Sequence, residues 1–126
     1  MGAGEPKTIL VVEDDCDVRD ALIELLEYRG YLVVGAANGR EALDRLRSST
    51  RPALILLDLM MPVMDGWQFR AEQLRDPSLA PIPVVVISAD GNVPQKAAAI
   101  GVASYLQKPV EADALLSAIE RYDPTG

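Results

Sequence analysis

The sequence predicts an α/β fold in which helices cover both faces of a parallel sheet. Strand-type and helix-type patterns alternate five times along the chain, which is the arrangement that produces such a sheet. Several strand-type runs are apolar throughout, as strands buried on both faces are. With 126 residues, of which 49% are apolar and 25% charged, the chain has the size and composition of one globular domain.

The first two strand–helix units are the clearest. The apolar run 8–12 precedes a helical pattern over 15–29, after which Gly30 takes the position of a residue that ends a helix. The second run, 31–37, precedes a helical pattern over 39–48. The residues predicted to face the sheet are Val18, Leu22, Leu25 and Leu26 in the first helix and Ala42, Leu43 and Leu46 in the second.

The third unit has a run over 53–57 and a helix that should begin at Gly66, with Asp65 able to cap its free N–H groups. The remaining elements, in order, are a strand over 83–87, a short helix over 93–100, a weaker strand over 103–107 and a helix over 111–122. In this last helix the residues predicted to point inward are Ala114, Leu115, Ala118 and Ile119.

Composition excludes several classes of function. A formal net charge of −7 with no basic stripe argues against direct nucleic-acid binding. The absence of His excludes a histidine general base and most transition-metal sites. Apolar runs end well before the ~20 residues that a membrane span needs, and no secretory signal is seen. A single Cys allows no internal disulfide, so we expect a cytoplasmic protein without membrane attachment.

Polar residues follow four of the predicted strands at the point where each strand ends. They are Glu13, Asp14 and Asp15 after the first strand, Asp58 after the third, Ser88 after the fourth and Lys108 after the fifth. Ligands of open α/β sheets bind outside the carboxyl ends of the strands. Each residue taken alone could be a solvated loop residue or a helix cap, but their convergence on one rim predicts a site.

Carboxylates packed together at that rim would repel one another, so a cation is needed to hold them. Mg²⁺ suits an oxygen-only site, because it binds one or two carboxylates and keeps water for a substrate phosphate. Lys108 adds a second positive charge and Ser88 a hydroxyl donor. These groups suit phosphoryl transfer, and Asp58, alone at the end of the central strand, is the best candidate for a carboxylate nucleophile.

Four motifs in this order and spacing resemble the receiver domain of two-component response regulators. They are ILVVEDD, LILLDLMMPVMDGW, VVVISA and YLQKP. The resemblance extends over residues 6–122, and nothing after the fifth helix resembles an output domain, so we expect a stand-alone regulator. It implies a flavodoxin-like three-layer fold with strand order 2-1-3-4-5.

The resemblance also implies the chemistry. Asp58 would accept a phosphoryl group from a phosphohistidine on a sensor histidine kinase or a histidine phosphotransfer protein. Mg²⁺, or Mn²⁺ in its place, would be bound by Asp14, Asp58 and the main-chain carbonyl of Met60, and by Glu13 through water. The chain would not be an enzyme beyond promoting its own phosphorylation and dephosphorylation.

The switch residues are implied in the same way. Ser88 corresponds to the switch hydroxyl, Tyr105 to the switch aromatic and Lys108 to the phosphate-binding lysine, with a cis peptide before Pro109. Phosphorylation would alter the face formed by the fourth helix, fifth strand and fifth helix, which a downstream protein would bind. Met60 and Asp90 occupy the positions that tune hydrolysis. Two positions depart from the common pattern: Ser88, where Thr is commoner, and Cys16, where Pro is frequent.

A docking surface for the donor is predicted on the first helix. Cys16, Arg19 and Ile23 share one face by their spacing, and Ile23 should point away from the buried stripe toward solvent. That face begins beside the acidic rim, where a helical phosphohistidine donor would pack. We expect a monomer or a weak dimer that depends on phosphorylation.

Three other interpretations were weighed. A haloacid dehalogenase-type phosphatase needs a second Asp two residues after the nucleophile, but Met60 stands there. A dinucleotide-binding module needs a G-x-G-x-x-G motif after the first strand, which is missing. A receiver-like interaction module that never sees phosphate would be expected to have lost acids or the lysine, and this chain retains them.

Overall fold

The computed structural model describes residues 7–48, 51–89, 91–102 and 104–122. It contains five parallel strands in the order β2-β1-β3-β4-β5, as the flavodoxin-like prediction requires. The strands are β1 (Thr8–Val12), β2 (Leu32–Ala36), β3 (Leu54–Asp58), β4 (Val84–Ser88) and β5 (Ser104–Gln107). The helices are α1 (Cys16–Tyr28), α2 (Gly39–Ser48), α3 (Gly66–Arg75), α4 (Val93–Ala99) and α5 (Ala112–Glu120).

Strands β1 to β4 contribute alternate residues to two separate apolar layers. Leu10, Val12, Ile55 and Leu57 pack with the inner faces of α2, α3 and α4. Ile9, Val11, Leu54 and Leu56 pack with α1 and α5 on the opposite side. Because both faces are covered, β3 and β4 are buried along their whole length, which explains why their sequences show no polar alternation.

Local signals place the helix ends that surround the site. Asp15 caps α1, since its side chain accepts hydrogen bonds from the backbone N–H groups of Asp17 and Val18. Asp65 and Gln68 form a reciprocal capping box at the start of α3. Gly30, with φ of +95°, follows the last turn of α1 in the left-handed conformation that the sequence predicted there.

One expectation about α5 is wrong. Ala114 is exposed, and its predicted inward place is taken by Leu116. The buried stripe of α5 consists of Leu115, Leu116, Ala118 and Ile119. Ala114 and Leu116 point in nearly opposite directions on a helix, and burying the larger apolar side chain stabilises more.

Within the described ranges, no helix combines the length and apolar character needed to cross a membrane.

Candidate functional site

The polar residues at the ends of the strands converge on one cleft. It has a volume of about 450 Å³, and its lining residues are Glu13, Asp14, Asp15, Asp58, Met60, Ser88, Ala89 and Lys108. Parallel strands bring their carboxyl ends to the same edge of the sheet, which is why residues far apart in sequence meet here. The cleft therefore contains the groups that the sequence predicted for it.

Asp58, the last residue of β3, is 3% exposed. Its Oδ1 atom accepts a hydrogen bond from the backbone N–H of Met60 at 3.3 Å, and its Oδ2 atom lies 3.4 Å from the Lys108 Nζ atom. The pKa of the Asp58 carboxyl is raised to about 7, chiefly by burial and next by the charge of Glu13, with the Lys108 ammonium opposing both. The protein alone therefore offsets only part of the cost of burying the negative charge of Asp58.

Lys108 connects the two buried acids. Its Nζ atom lies 2.6 Å from Glu13 Oε1 and 3.4 Å from Asp58 Oδ2. Its backbone N–H donates to the Ser88 carbonyl at 2.8 Å, which ties the loop after β5 to the end of β4. Burial alone would lower the pKa of the Lys108 ammonium, but its close contact with the Glu13 carboxylate and the charges of Asp58 and Glu13 outweigh burial and raise that pKa.

The acids fit a hard divalent cation. Glu13, Asp14 and Asp58 each offer a carboxylate oxygen, and these oxygens all lie within 4.8 Å of one another. The buried Oε1 atom of Glu13 contacts Lys108 as an ion pair but accepts no well-directed hydrogen bond. A lone ammonium against three carboxylates leaves excess negative charge, and an all-oxygen set with an exposed side suits Mg²⁺.

Asp14 and Asp15, adjacent in sequence, have different environments. The Asp14 carboxylate belongs to the acidic cluster and is exposed. The Asp15 carboxylate is occupied by the α1 cap, where Oδ1 accepts from the N–H groups of Asp17 at 2.9 Å and Val18 at 3.2 Å. The geometry therefore supports Asp14 over Asp15 as the metal ligand.

Of the other predicted switch and tuning positions, Ser88 and Met60 line this rim. Ser88 is buried at the end of β4, whereas Tyr105 on β5 is 45% exposed. The Lys108–Pro109 peptide bond is cis, as the resemblance implied. Met60 is exposed at the mouth of the cleft. Asp90 lies outside the described residues.

The predicted docking face on α1 is less exposed than the sequence predicted. Cys16 is exposed, but Arg19 and Ile23 are only partly so, and Ile23 packs against the core beside β2. Gly35 on β2 has no side chain, so Ile23 and the aliphatic part of Arg19 fill the space above it. Helical periodicity could not reveal this, because it gives the direction of Ile23 but not how far the edge strand extends beneath it.

An apolar groove lies on the other side of α1, next to the acidic cleft. It has a volume of about 540 Å³, and its lining residues are Val18, Ala21, Leu22, Leu25, Ala89, Lys108, Pro109, Val110 and Ala112. Ala89 and Lys108 line both the groove and the acidic cleft. The sequence contained a signal for half of this groove, the apolar α1 stripe, but not for the segment after Lys108 that completes it.

Comparison with known proteins agrees with this geometry. A family model described as the response regulator receiver domain matches residues 9–120. The response regulator MprA of Mycolicibacterium vanbaalenii is 41% identical over 114 residues, which are 89% of this chain and 48% of that protein. MprA of Mycobacterium avium is 40% identical over 86% of this chain and 47% of its own length. The chain thus spans about half the length of these curated relatives.

Solved structures match over nearly their full length. A response regulator receiver protein from Pseudomonas putida has a TM-score of 0.85 and 31% identity, covering 94% of this chain and 98% of that one. The signal receiver domain of a signal transduction histidine kinase from Syntrophus aciditrophicus has a TM-score of 0.82 and 33% identity, covering 92% and 89%. The similarity therefore extends to receiver domains of both regulators and kinases.

Proposed function

This chain belongs to the response regulator receiver domain family, and from that premise we propose that it is a Mg²⁺-dependent phosphoacceptor switch with Asp58 as the acceptor. One observation carries the proposal. The Asp58 carboxylate is buried beside the Lys108 ammonium and shares a cluster with the carboxylates of Glu13 and Asp14. A nucleophile, a fixed cation and a cation-binding acidic pair are the groups that phosphoryl transfer to an aspartate requires.

The transfer step follows from these positions. An Asp58 Oδ atom forms a bond to the phosphorus of a partner's phosphohistidine, the P–N bond breaks, and the imidazole leaves with the electron pair and takes up a proton. Lys108 is placed to bind an oxygen of the transferred group. A Mg²⁺ ion held by Asp14, Asp58 and the Met60 carbonyl, and by Glu13 through water, would neutralise charge on the phosphoryl oxygens.

The proposal includes a partner on each side of the reaction. The donor is a sensor histidine kinase or a histidine phosphotransfer protein, and the phosphorylated form binds a downstream protein through the face formed by α4, β5 and α5. The chain turns over no other substrate. A phosphatase of the haloacid dehalogenase type is less well supported, because Met60 offers no acid or base two residues after Asp58.

Acetyl phosphate labelling followed by intact mass spectrometry tests the acceptor. We expect one phosphoryl group on the wild-type chain in Mg²⁺, none in EDTA and none on Asp58→Asn. Labelling of Asp58→Asn at the wild-type rate would show that the acceptor lies elsewhere.

A Mg²⁺ titration of two variants tests the metal site. Asp14→Ala should weaken Mg²⁺ binding by about tenfold or more, since it removes a ligand of a carboxylate-bound ion. Asp15→Ala should instead lower helix stability by about 1 kcal/mol, because it removes the α1 cap, and should change Mg²⁺ affinity much less. Equal losses in the two variants would contradict the assignment of Asp14.

A further inference from the structure

Arg19 is positioned on α1 but directs its guanidinium back to the loop between β1 and α1. Its Nη1 atom donates a hydrogen bond to the backbone carbonyl of Glu13 at 2.9 Å. The residue is partly buried, and so is this contact. Glu13 and Asp14 lie immediately beyond it and belong to the acidic cluster.

Both peptide groups that flank Asp14 are held by side chains. The peptide between Glu13 and Asp14 is held at its carbonyl by Arg19. The peptide between Asp14 and Asp15 is held at its N–H, which donates to Glu13 Oε2 at 3.1 Å. Since these two planes fix the direction of the Asp14 Cα–Cβ bond, they limit the positions that its exposed carboxylate can reach.

Gly35 provides the space through which Arg19 reaches the loop. A Cβ atom at this position would lie 3.3 Å from Arg19 Cδ and 3.1 Å from Ile23 Cδ1. Glycine inside a strand often marks the close approach of another group. The neighbouring Glu13 N–H donates to the Ala36 carbonyl at 3.0 Å, so β2 supports the loop from below as well.

We propose that Arg19 is a positioning residue for the metal site: it fixes the peptide before Asp14 so that the carboxylate is oriented before a cation binds. The inference rests on the proposed Mg²⁺ site. Two effects of Arg19 have opposite signs. Its positive charge disfavours a nearby cation, whereas its hydrogen bond favours binding by preorganising the ligand. The sign of a Mg²⁺ affinity change therefore separates them.

Calorimetric Mg²⁺ titration of the unphosphorylated chain provides the test. Arg19→Met should bind Mg²⁺ about 3- to 10-fold more weakly, in keeping with the loss of one hydrogen bond. Arg19→Lys keeps the charge and one donor and should lose less. Arg29→Met is the matched control, because it removes the same charge from the exposed C-terminal end of α1 and should not weaken binding.

Amide hydrogen exchange in EDTA gives a second readout that does not depend on the metal. The Asp15 N–H should exchange faster in Arg19→Met, while the amides in the middle of α1 keep their protection. Gly35→Ala should produce a smaller change of the same kind, because it crowds Arg19 without removing it.

Four results are decisive. Wild-type or tighter Mg²⁺ binding by Arg19→Met would overturn the positioning role, and so would unchanged exchange at Asp15. An equal loss of affinity in Arg29→Met would show a general effect of substitution on α1, since losing positive charge alone favours a cation, and would also overturn it. Failure of the wild-type chain to bind Mg²⁺ would instead refute the proposed metal site, and the inference with it.

Discussion

The Asp58 carboxylate lies where its charged form is least favoured. It is buried, and Glu13 adds a second negative charge close by, so its pKa is raised to about 7 from the ordinary value of 3.8. An acid with a raised folded-state pKa contributes stability that is fully present below the unfolded-state value and is lost as pH rises through the folded-state value. Asp58 therefore lowers the stability of the metal-free protein progressively as pH rises from 3.8, and the loss is complete above about pH 7.

Replacing this charge should stabilise the chain. In EDTA at pH 8, Asp58→Asn should raise the free energy of unfolding by about 1–3 kcal/mol, given 1.36 kcal/mol per pKa unit and some relaxation around the site. At pH 5 the difference should be smaller, and it should vanish only below the ordinary pKa of 3.8, where the carboxyl is protonated in the unfolded chain as well. Urea denaturation at the two pH values measures this. An equal gain in the free energy of unfolding at both pH values would show that the effect comes from packing and not from charge.

Helix α1 has two unlike sides. One side packs Arg19 and Ile23 over Gly35, and the other lines the apolar groove with Ala21 and Leu25. Acidic residues adjoin the groove, with Asp17 and Glu24 one turn from Ala21 on the helix surface. A helix with an apolar stripe and basic flanks would suit this groove, which opens beside Asp58 through Lys108 and Ala89. We propose that the phosphohistidine donor docks there.

Ala21→Glu should then impair phosphoryl transfer by about tenfold or more from a histidine phosphotransfer protein that labels the wild-type chain, because it places a charge in an apolar contact. Labelling by acetyl phosphate, which needs no docking, should be unchanged. Ala71→Glu, at an exposed position of α3, is the matched control and should transfer normally. Equal transfer to both variants would rule out the groove as the docking surface.

The helices and strands near the site were predictable because short sequence patterns reflect the interactions that form them. Asp15 and Asp65 are caps whose bonds span three residues, and the runs of β3 and β4 are apolar because both faces are covered. The bond of Arg19 to Glu13 and its place above Gly35 could not be predicted, because they depend on how α1 packs on β2. Gln73 was missed: it is fully buried and donates to the carbonyls of Leu79 and Ile82, which no local pattern indicates.

In the molecule as a whole, the proposed phosphorylation site adjoins the edge of the sheet that would respond to phosphorylation. Ser88 is the last residue of β4, and Val86, two residues before it, lies on the same face of the sheet. Val86 pairs with Tyr105 on the edge strand β5. Val86 packs in the layer that includes Ala97 of α4. We propose that phosphorylation draws Ser88 and Lys108 toward the phosphoryl group and lets Tyr105 turn inward, which alters the α4–β5–α5 face.

Beryllofluoride, a phosphate mimic, should shift the Tyr105 ring resonances in NMR spectra and move backbone amides of α4 and β5. Ser88→Ala should reduce both changes by removing the hydroxyl that connects the site to β5. An unchanged Tyr105 ring in a chain that binds the mimic would refute this coupling, whereas Asp58 could still accept phosphate.

The position of the acceptor can be read directly from the chemistry of an acyl phosphate. After reaction with acetyl phosphate and Mg²⁺, borohydride reduces a phosphorylated aspartate to homoserine, which peptide mass spectrometry locates. Homoserine should appear at position 58 in Mg²⁺ and be absent in EDTA. Homoserine at Asp14 or Asp15 with none at position 58, or equal modification with and without the metal ion, would contradict the assignment of Asp58 as the Mg²⁺-dependent phosphoacceptor.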